Sequence, residues 1–210
     1  MNEPFLLALS KPEPSPGGGA AAAYSACLGL ALLKKVINLE LLRPEVSEEL
    51  VSIWDDLLEQ TEVAEEILER LLHEDSRAYV DFTEARSGGT EDSFSAALEN
   101  LIDCPFKIME QSCQGQGLIS EAGKLCKRYL LSDLLVAGEF FLAAVQGACH
   151  IARTNLYLVP DDPSKEGPYA GTRDKILRLQ NCCQDAYDMV QEQIRLRIRL
   201  GGSAPGSPAL

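Results

Sequence analysis

The stretch LVSIWDDLLEQTEVAEEILERLL, residues 50–72, repeats an apolar or small side chain at alternating steps of four and three residues. This spacing places one narrow apolar seam along a long α-helix, with acidic residues outside the seam. A seam of this kind is buried by packing against other helices, so the stretch predicts a helical bundle. The seam consists of Leu50, Trp54, Leu57, Thr61, Ala64, Leu68 and Leu71.

The composition of the whole chain agrees with this prediction. The chain has 210 residues, of which 46% are hydrophobic and only 6% aromatic. Alternating runs that favour strands are scarce, while Leu, Ala and Glu dominate, so a β-sandwich or barrel is excluded and an all-α fold is expected. We predict one antiparallel bundle of long helices over residues 1–200, followed by a low-complexity, disordered tail at 201–210.

Prolines, glycines and capping residues divide the chain into predicted helices. Gly115-Gln116-Gly117 is predicted to break one helix, and Thr90 and Ser132 are predicted to cap the helices that follow them. The apolar segment after Ser132 is expected to lie at the centre of the bundle. The predicted helices cover residues 2–10, 20–42, 50–85, 91–114, 119–131, 133–154 and 172–199.

Charge and cysteine usage limit the classes of partner and the compartment. The formal net charge is −13, which disfavours binding to nucleic acid or to an anionic membrane surface. The seven cysteines are odd in number and lack paired metal-ligand spacing, so we expect reduced thiols and no metal site. No export signal is visible at the N-terminus, and the expected location is the cytoplasm.

Three consecutive glycines, Gly17, Gly18 and Gly19, stand directly before a predicted helix. Backbone N–H groups at a helix N-terminus are accessible there without side-chain obstruction, which suits an anionic or polar ligand. The same glycines also suit a purely structural role, in which they allow close contact between helices. The glycines alone leave both interpretations open.

Several motifs occur in the order found in one family. Pro16-Gly17-Gly18-Gly19-Ala20-Ala21-Ala22-Ala23 matches P-G-G-G-[SG]-x-A-A, and Asp75-Ser76-Arg77-Ala78-Tyr79 matches D-x-x-A-[FY]. Cys104-Pro105 stands at a helix-breaking V-P, Ser132 to Ala137 matches S-D-x-x-V-A, and Asn155 matches an asparagine near the end of the apolar helix. Over residues 2–200 the chain thus resembles the cyclodeaminase/cyclohydrolase family of folate enzymes.

The resemblance implies an all-α homodimer that binds tetrahydrofolate, as substrate and carrier, in a cleft near the dimer interface, without a metal. In the cyclodeaminase, N10 of the folate attacks the formimino carbon and ammonia leaves, which gives 5,10-methenyltetrahydrofolate. The cyclohydrolase interconverts the methenyl and 10-formyl forms. Both reactions pass through a tetrahedral carbon and need proton transfer to a leaving group. The family assigns that transfer to the aspartate that corresponds to Asp75.

The resemblance also suggests residues that bind the substrate: the loop Gly17 to Gly19, and Asp133 or Asn155 to orient the folate. Arg43 is a candidate for binding the glutamyl tail, because carboxylates require cations. Further candidate cations are Lys34, Lys35, Lys127 and Arg128. Two stretches depart from the family pattern: Leu42 to Val46 lacks the G-[KR]-[KR]-x-[YF] sequence, and Cys126-Lys127 replaces a G-N pair.

Three functions remain open at this level. The leading one is a cyclodeaminase, an ammonia-lyase, that works beside a separate formiminotransferase. The second is a methenyltetrahydrofolate cyclohydrolase. The third is a non-catalytic folate-binding or interaction protein of the same fold, which the two departures from the pattern favour.

Overall fold

Every regular element in the described part of the chain is helical. A computed structural model describes residues 3–13, 15–158 and 171–200. The predicted tail at 201–210 lies outside these residues, and the all-α prediction is confirmed. The elements are α1 (Glu3–Leu9), α2 (Gly18–Leu41), α3 (Glu48–Gly88), α4 (Glu91–Leu125), α5 (Leu131–Asn155) and α6 (Thr172–Leu200), with 3₁₀ turns at Arg128–Leu130 and Leu156–Leu158.

The apolar seam of α3 forms as predicted. Its residues from Trp54 to Leu71 are buried, and Leu50 is half-buried. The Ser47 hydroxyl caps α3 by accepting the Leu50 amide at 3.3 Å. Thr90 caps α4 in the same way, accepting the Ser93 amide at 3.2 Å, which confirms the predicted cap. Such caps satisfy amides that have no partner inside the helix.

Helices α2 and α5 pack against each other in an antiparallel pair at the centre of the bundle. The Ser25 hydroxyl donates to the Phe140 carbonyl at 2.9 Å, and Lys35 Nζ lies 2.9 Å from Asp133 Oδ2. α3 and α4 pack on one side of α2, and α6 packs on α4 and α5. α2 therefore contacts three long helices, which explains why small residues occupy so much of its length.

Two helical segments, Gly18–Leu41 and Arg128–Leu158, are long and apolar enough to cross a membrane by length and composition alone. About half of the apolar window of each segment is buried inside the bundle. Contacts of these two helices with each other and with α3, α4 and α6 account for this burial. Their apolar character is therefore that of packed core helices.

Helix α4 runs without a break through Gly115-Gln116-Gly117, so the predicted break and the separate helix 119–131 are wrong. Gly115 serves close packing, because a Cβ there would lie 2.4 Å from Cζ of Phe141. Gln116 is buried and donates its side-chain amide to the Gly138 carbonyl at 2.9 Å. Packing against α5 holds this segment helical despite its glycines.

Pro105 also lies inside α4 and does not break it. Proline has no N–H, so the carbonyl four residues earlier, that of Leu101, loses its partner within the helix. The Asn155 side chain supplies the replacement by donating Nδ2 to the Leu101 oxygen at 2.7 Å. A side chain at the end of α5 thus replaces the hydrogen bond that Pro105 removes from α4.

The start of α5 differs from the prediction. The helix begins at Leu131 and follows the 3₁₀ turn Arg128–Leu130 with Leu130 as its N-cap residue. Ser132 is exposed in the first turn, and no side chain caps the helix. The predicted Ser132 cap is therefore wrong, because the preceding turn already carries the chain into a helical conformation.

Candidate functional site

The Asp75 carboxylate of α3 contacts the backbone at the start of α2, at Gly19 and Ala20. Asp75 Oδ2 accepts the Ala20 amide at 2.9 Å. A Cβ placed on Gly19 would lie 1.9 Å from Asp75 Oδ1 and 2.4 Å from its Cγ. Gly19 is therefore required by the close approach of Asp75, and the sequence-predicted residues Gly17 to Gly19 and Asp75 come together in one chain.

Asp75 takes the place of a capping side chain for α2. The N-cap residue Gly17 is extended, with φ −121° and ψ −156°, and has no side chain to bind the orphan amides. Asp75 satisfies the amide of Ala20 from a different helix. The partial positive charge of a helix N-terminus also favours a carboxylate at this position. The glycine loop thus positions an acid, and its binding of substrate, which the resemblance implies, stays a prediction.

The surroundings of Asp75 change its acidity. Burial raises the pKa of the Asp75 carboxyl above its ordinary value, and the hydrogen bond from the Ala20 amide acts against this shift. The rise shows that desolvation outweighs the hydrogen bond. A carboxyl group with a raised pKa is better matched to proton transfer near neutral pH than an ordinary aspartate.

A cleft of about 310 Å³ opens between α3 and α4, next to Asp75 in sequence, although Asp75 is not among its lining residues. The neighbour of Asp75, Glu74, lines the cleft, as does Cys104, whose thiol pKa is raised to about 12 by burial and then by the charge of Asp75. The cleft contains cations as well as acids. Its lining residues are Glu74, Arg77, Ala78, Asp81, Asn100, Cys104 and Lys107.

Arg77 and Lys107 were not among the cations predicted to bind the substrate. Arg77 lies within the Asp75-Ser76-Arg77-Ala78-Tyr79 motif, but at a position that the pattern D-x-x-A-[FY] leaves open, so the motif did not mark it. Lys107 follows Pro105 by two residues, and no local pattern marks it. Only the pairing of α3 with α4 brings these two cations to the same cleft.

Asn155 lies at the same end of the bundle, but its side chain is engaged in the structure. It is buried, and its Nδ2 donates to the Leu101 carbonyl freed by Pro105. A direct contact with substrate is not needed to explain this asparagine. Its position at the end of α5 is explained by the helix defect that it repairs.

Asp133 and Arg43 lie at the opposite end. Asp133 pairs with Lys35, which is about 22 Å along α2 from Ala20 at the helical rise per residue. Arg43 lies beyond the C-terminus of α2, whose last residue, Leu41, is about 33 Å from Gly19 along the helix axis. Neither residue reaches Asp75 within one chain. Lys34, another predicted cation, pairs with Glu65.

The two stretches that depart from the family pattern meet at one buried acid. Glu40 is only 1% exposed, and it pairs with the Arg43 guanidinium. The other oxygen of Glu40 accepts the backbone amide of Lys127 at 2.6 Å. The departures at residues 42–46 and 126–127 therefore form a single structural unit, remote from the contact between Asp75 and Gly19.

Within residues 3–13, 15–158 and 171–200, no group of three or more His, Cys, Asp and Glu side chains is arranged to hold a metal ion. The expectation that no metal takes part stays a prediction. The chemistry that the described site offers is proton transfer at Asp75. The cations of the neighbouring cleft add the capacity to bind an anionic group.

The fold and the family of this chain are shared with known proteins. The crystal structure of formiminotetrahydrofolate cyclodeaminase from Thermotoga maritima is similar in fold, with a TM-score of 0.80 and 19% sequence identity over 94% of this chain and 97% of that chain. No curated protein sequence matches significantly. The family model for formiminotransferase-cyclodeaminase matches residues 1–167, a range that contains both Gly19 and Asp75. The chain belongs to the formiminotransferase-cyclodeaminase family.

Proposed function

We propose that this protein is a folate-dependent cyclodeaminase that converts 5-formiminotetrahydrofolate and releases ammonia. The observation that carries the proposal is the Asp75 carboxylate, which is held on Gly19 and Ala20 with a raised pKa. Membership of the family supports the substrate class. Within one chain the departures at Arg43 and Lys127 do not alter the contact between Asp75 and Gly19, because they lie at the other end of α2.

The reaction needs one proton to be moved between two nitrogens. The formimino group is an amidine and is protonated at neutral pH, so its nitrogen starts as NH2+. N10 of the folate attacks the formimino carbon and loses its proton, and the former imino nitrogen, now NH2, gains that proton to leave as ammonia. In our proposal the Asp75 carboxylate accepts the N10 proton and returns it to the leaving nitrogen. One carboxyl group serves both steps when its pKa lies close enough to the working pH.

Folate carries glutamyl carboxylates, and the cleft between α3 and α4 offers two cations for them. We place Arg77 and Lys107 in this role within one chain, instead of Arg43 or Lys35. Arg43 and Lys35 already neutralise Glu40 and Asp133, respectively. A Lys107→Gln change is expected to raise KM while kcat stays close to that of the wild type, because it removes binding and leaves Asp75 in place.

A homodimer would bring the remaining candidate residues to the site. Asp133 lies too far from Asp75 within one chain, so it contributes only if a second copy presents the opposite end of its bundle. Exposed apolar side chains near the pair of Lys35 and Asp133 support such an interface, since exposed apolar patches favour association. They are Leu28, Leu39, Tyr129 and Val136.

The primary test follows the near-ultraviolet absorbance of the methenyl product. Purified protein is incubated with 5-formiminotetrahydrofolate, and Asp75→Asn serves as the matched variant. Formation of methenyltetrahydrofolate by the wild type alone is the expected result. A separate incubation with 5,10-methenyltetrahydrofolate tests the cyclohydrolase. Activity only in this second assay would replace our proposal by that alternative, and inactivity of a folded protein in both assays would favour the binding protein.

A mixing experiment tests the dimer and the shared site. Asp75→Asn and Asp133→Asn proteins are each assayed alone and then after subunit exchange. In a mixed dimer with shared sites, one site carries both substitutions and the other carries neither, so activity rises above that of both parents. Activity equal to the average of the parents, or a sedimentation mass of one chain, would refute this part of the proposal. A cytoplasmic location and a separate formiminotransferase partner also remain part of the proposal.

A further inference from the structure

The cleft between α3 and α4 is lined by charged residues of both signs. Glu74, Arg77 and Asp81 come from α3, and Lys107 comes from α4. All four residues are exposed, and the remaining residues that line the cleft are uncharged. Glu74, Arg77, Asp81 and Lys107 are called the charged lining below. Its two positive and two negative charges cancel, so the cleft carries no formal net charge of its own.

The charged lining does not neutralise itself by ion pairing. Glu74 and Arg77 are three residues apart on α3, and Arg77 and Asp81 are four apart, spacings at which opposite charges can pair on a helix. Within residues 3–13, 15–158 and 171–200, however, no salt bridge includes a member of the charged lining. Its cations are therefore available to the carboxylates of a ligand, and its acids act on the same ligand by repulsion.

The number of cations in the cleft matches a folate with a single glutamate. Such a folate presents two carboxylates, the α and the γ carboxylate of that glutamate, and Arg77 and Lys107 are two cations. Each further γ-linked glutamate adds one carboxylate, and the cleft has no further cation for it. The added carboxylates face Glu74 and Asp81 on a chain whose formal net charge is −13. A longer tail is therefore repelled by its surroundings.

We propose that this cleft selects folates with a single glutamate, and that Glu74 and Asp81 determine this specificity by repelling a longer glutamyl tail. The inference rests on the proposed function, which assigns the glutamyl carboxylates to Arg77 and Lys107. It concerns binding alone, because a difference in tail length leaves the reacting carbon and its two nitrogens unchanged. The proton transfer at Asp75 and the tail specificity can therefore be tested separately.

The size of the effect follows from the exposure of the charged lining. Interactions between exposed charges are weak in water, so each unmatched carboxylate that lies near the two acids should weaken binding by about 1.5- to 5-fold. Screening limits this repulsion to about 8–10 Å, so only the first one or two added glutamates contribute. A folate with five glutamates should therefore bind about 2- to 25-fold more weakly than a folate with one.

The test measures dissociation constants of the full chain by isothermal titration calorimetry. The ligands are 5-formyltetrahydrofolate with one glutamate and the same compound with five. This folate has no imino nitrogen to lose as ammonia, so binding is measured without turnover. The expected result is weaker binding of the pentaglutamate at low ionic strength. The difference between the two ligands should shrink at about 0.5 M sodium chloride, because salt screens the repulsion.

Substitutions of the acids identify the source of the specificity. Glu74→Gln and Asp81→Asn should each strengthen pentaglutamate binding relative to monoglutamate binding, by about 1.5- to 5-fold. Glu59→Gln is the matched control, because it removes the same charge from an exposed position of α3. Glu59 lies about 22 Å from Glu74 along the helix, which is more than two screening lengths. The ratio of the two dissociation constants should therefore stay at its wild-type value in Glu59→Gln.

The outcomes separate the tail specificity from the proposed reaction. Pentaglutamate that binds the wild type as tightly as monoglutamate, or more tightly, overturns the inference, and this comparison needs no variant. An effect of Glu59→Gln as large as that of Asp81→Asn overturns the assignment to the two acids. Weaker binding of the pentaglutamate by a protein that forms no methenyltetrahydrofolate would refute the cyclodeaminase and support the tail specificity. Absence of binding of either ligand would overturn both.

Discussion

Replacing Gly19 with alanine tests whether the position of the Asp75 carboxylate determines activity. The new Cβ would lie 1.9 Å from Asp75 Oδ1, while ordinary contact begins at 3.4 Å, so the carboxylate must retreat by 3.4 − 1.9 = 1.5 Å. This retreat breaks the 2.9 Å hydrogen bond from the Ala20 amide. The substitution therefore moves the proposed proton carrier without changing its chemistry.

The expected loss follows from that displacement. A misplacement of about 1 Å in a reacting group costs about 100-fold in rate, so kcat for methenyl formation should fall by about 100-fold or more. The lost hydrogen bond to a charged acceptor should lower the free energy of unfolding by about 1.5–3 kcal/mol. The better helix propensity of alanine returns about 0.5–1 kcal/mol of this loss.

The assay is the formation of methenyltetrahydrofolate, and urea titration measures stability on the same preparations. Gly18→Ala is the matched control, because its Cβ would meet only the flexible end of the Ile151 side chain, at 3.0 Å from Cδ1. It should retain a kcat close to that of the wild type. A folded Gly19→Ala protein with wild-type kcat would refute the reasoning, since Asp75 would then not need its place at the start of α2.

Three other substitutions give clear expectations. Asp75→Asn should abolish methenyl formation and make the protein more stable than the wild type at neutral pH. The raised pKa of Asp75 means that the wild type loses stability as the pH rises through that value, so the advantage should disappear in urea titrations at low pH. Asn155→Ala should lower the free energy of unfolding by about 1–3 kcal/mol, because the buried Leu101 carbonyl loses its donor, and a selective collapse of kcat would instead indicate contact with substrate. Gly117→Ala should stabilise α4 by about 0.5–1 kcal/mol in thermal or urea unfolding, since its Cβ meets nothing within 4 Å. Destabilisation would show that α4 needs its flexibility there.

The features that could be predicted from the sequence are the local ones. The seam of α3 depends on spacing within one helix, and the Thr90 cap depends on a contact three residues away. Both are fixed by the helical repeat, whatever the rest of the chain does. The Asp75 motif could likewise be assigned through its resemblance to the family, although its partner in space could not.

The features that could not be predicted depend on contacts between helices. Asp75 is 55 residues from Ala20 in sequence, and Asn155 is 54 residues from Leu101. Nothing in the local sequence around Asn155 indicates that its side-chain amide donates to the Leu101 carbonyl, which Pro105 leaves without a partner in the helix. The distance between Asp133 and Asp75 could not be predicted either. The order of the motifs in the sequence does not give their distance in space, which follows only from the length of α2.

The glycines show why local reasoning fails at some positions of this chain and succeeds at others. Gly115 and Gly19 have the same role in space, since each occupies the point where a side chain of another helix, Phe141 or Asp75, comes within the distance of a Cβ. Gly115 was predicted to end a helix and Gly19 to bind a ligand, because a sequence shows that a side chain is missing but not what fills the gap. At Gly115 an aromatic ring fills the gap, and the result is a packed core. At Gly19 a carboxylate fills it, and burial by the same close approach raises the pKa of that acid. The helix packing that stabilises this bundle is thus also what sets the acidity of the residue on which the proposed chemistry depends.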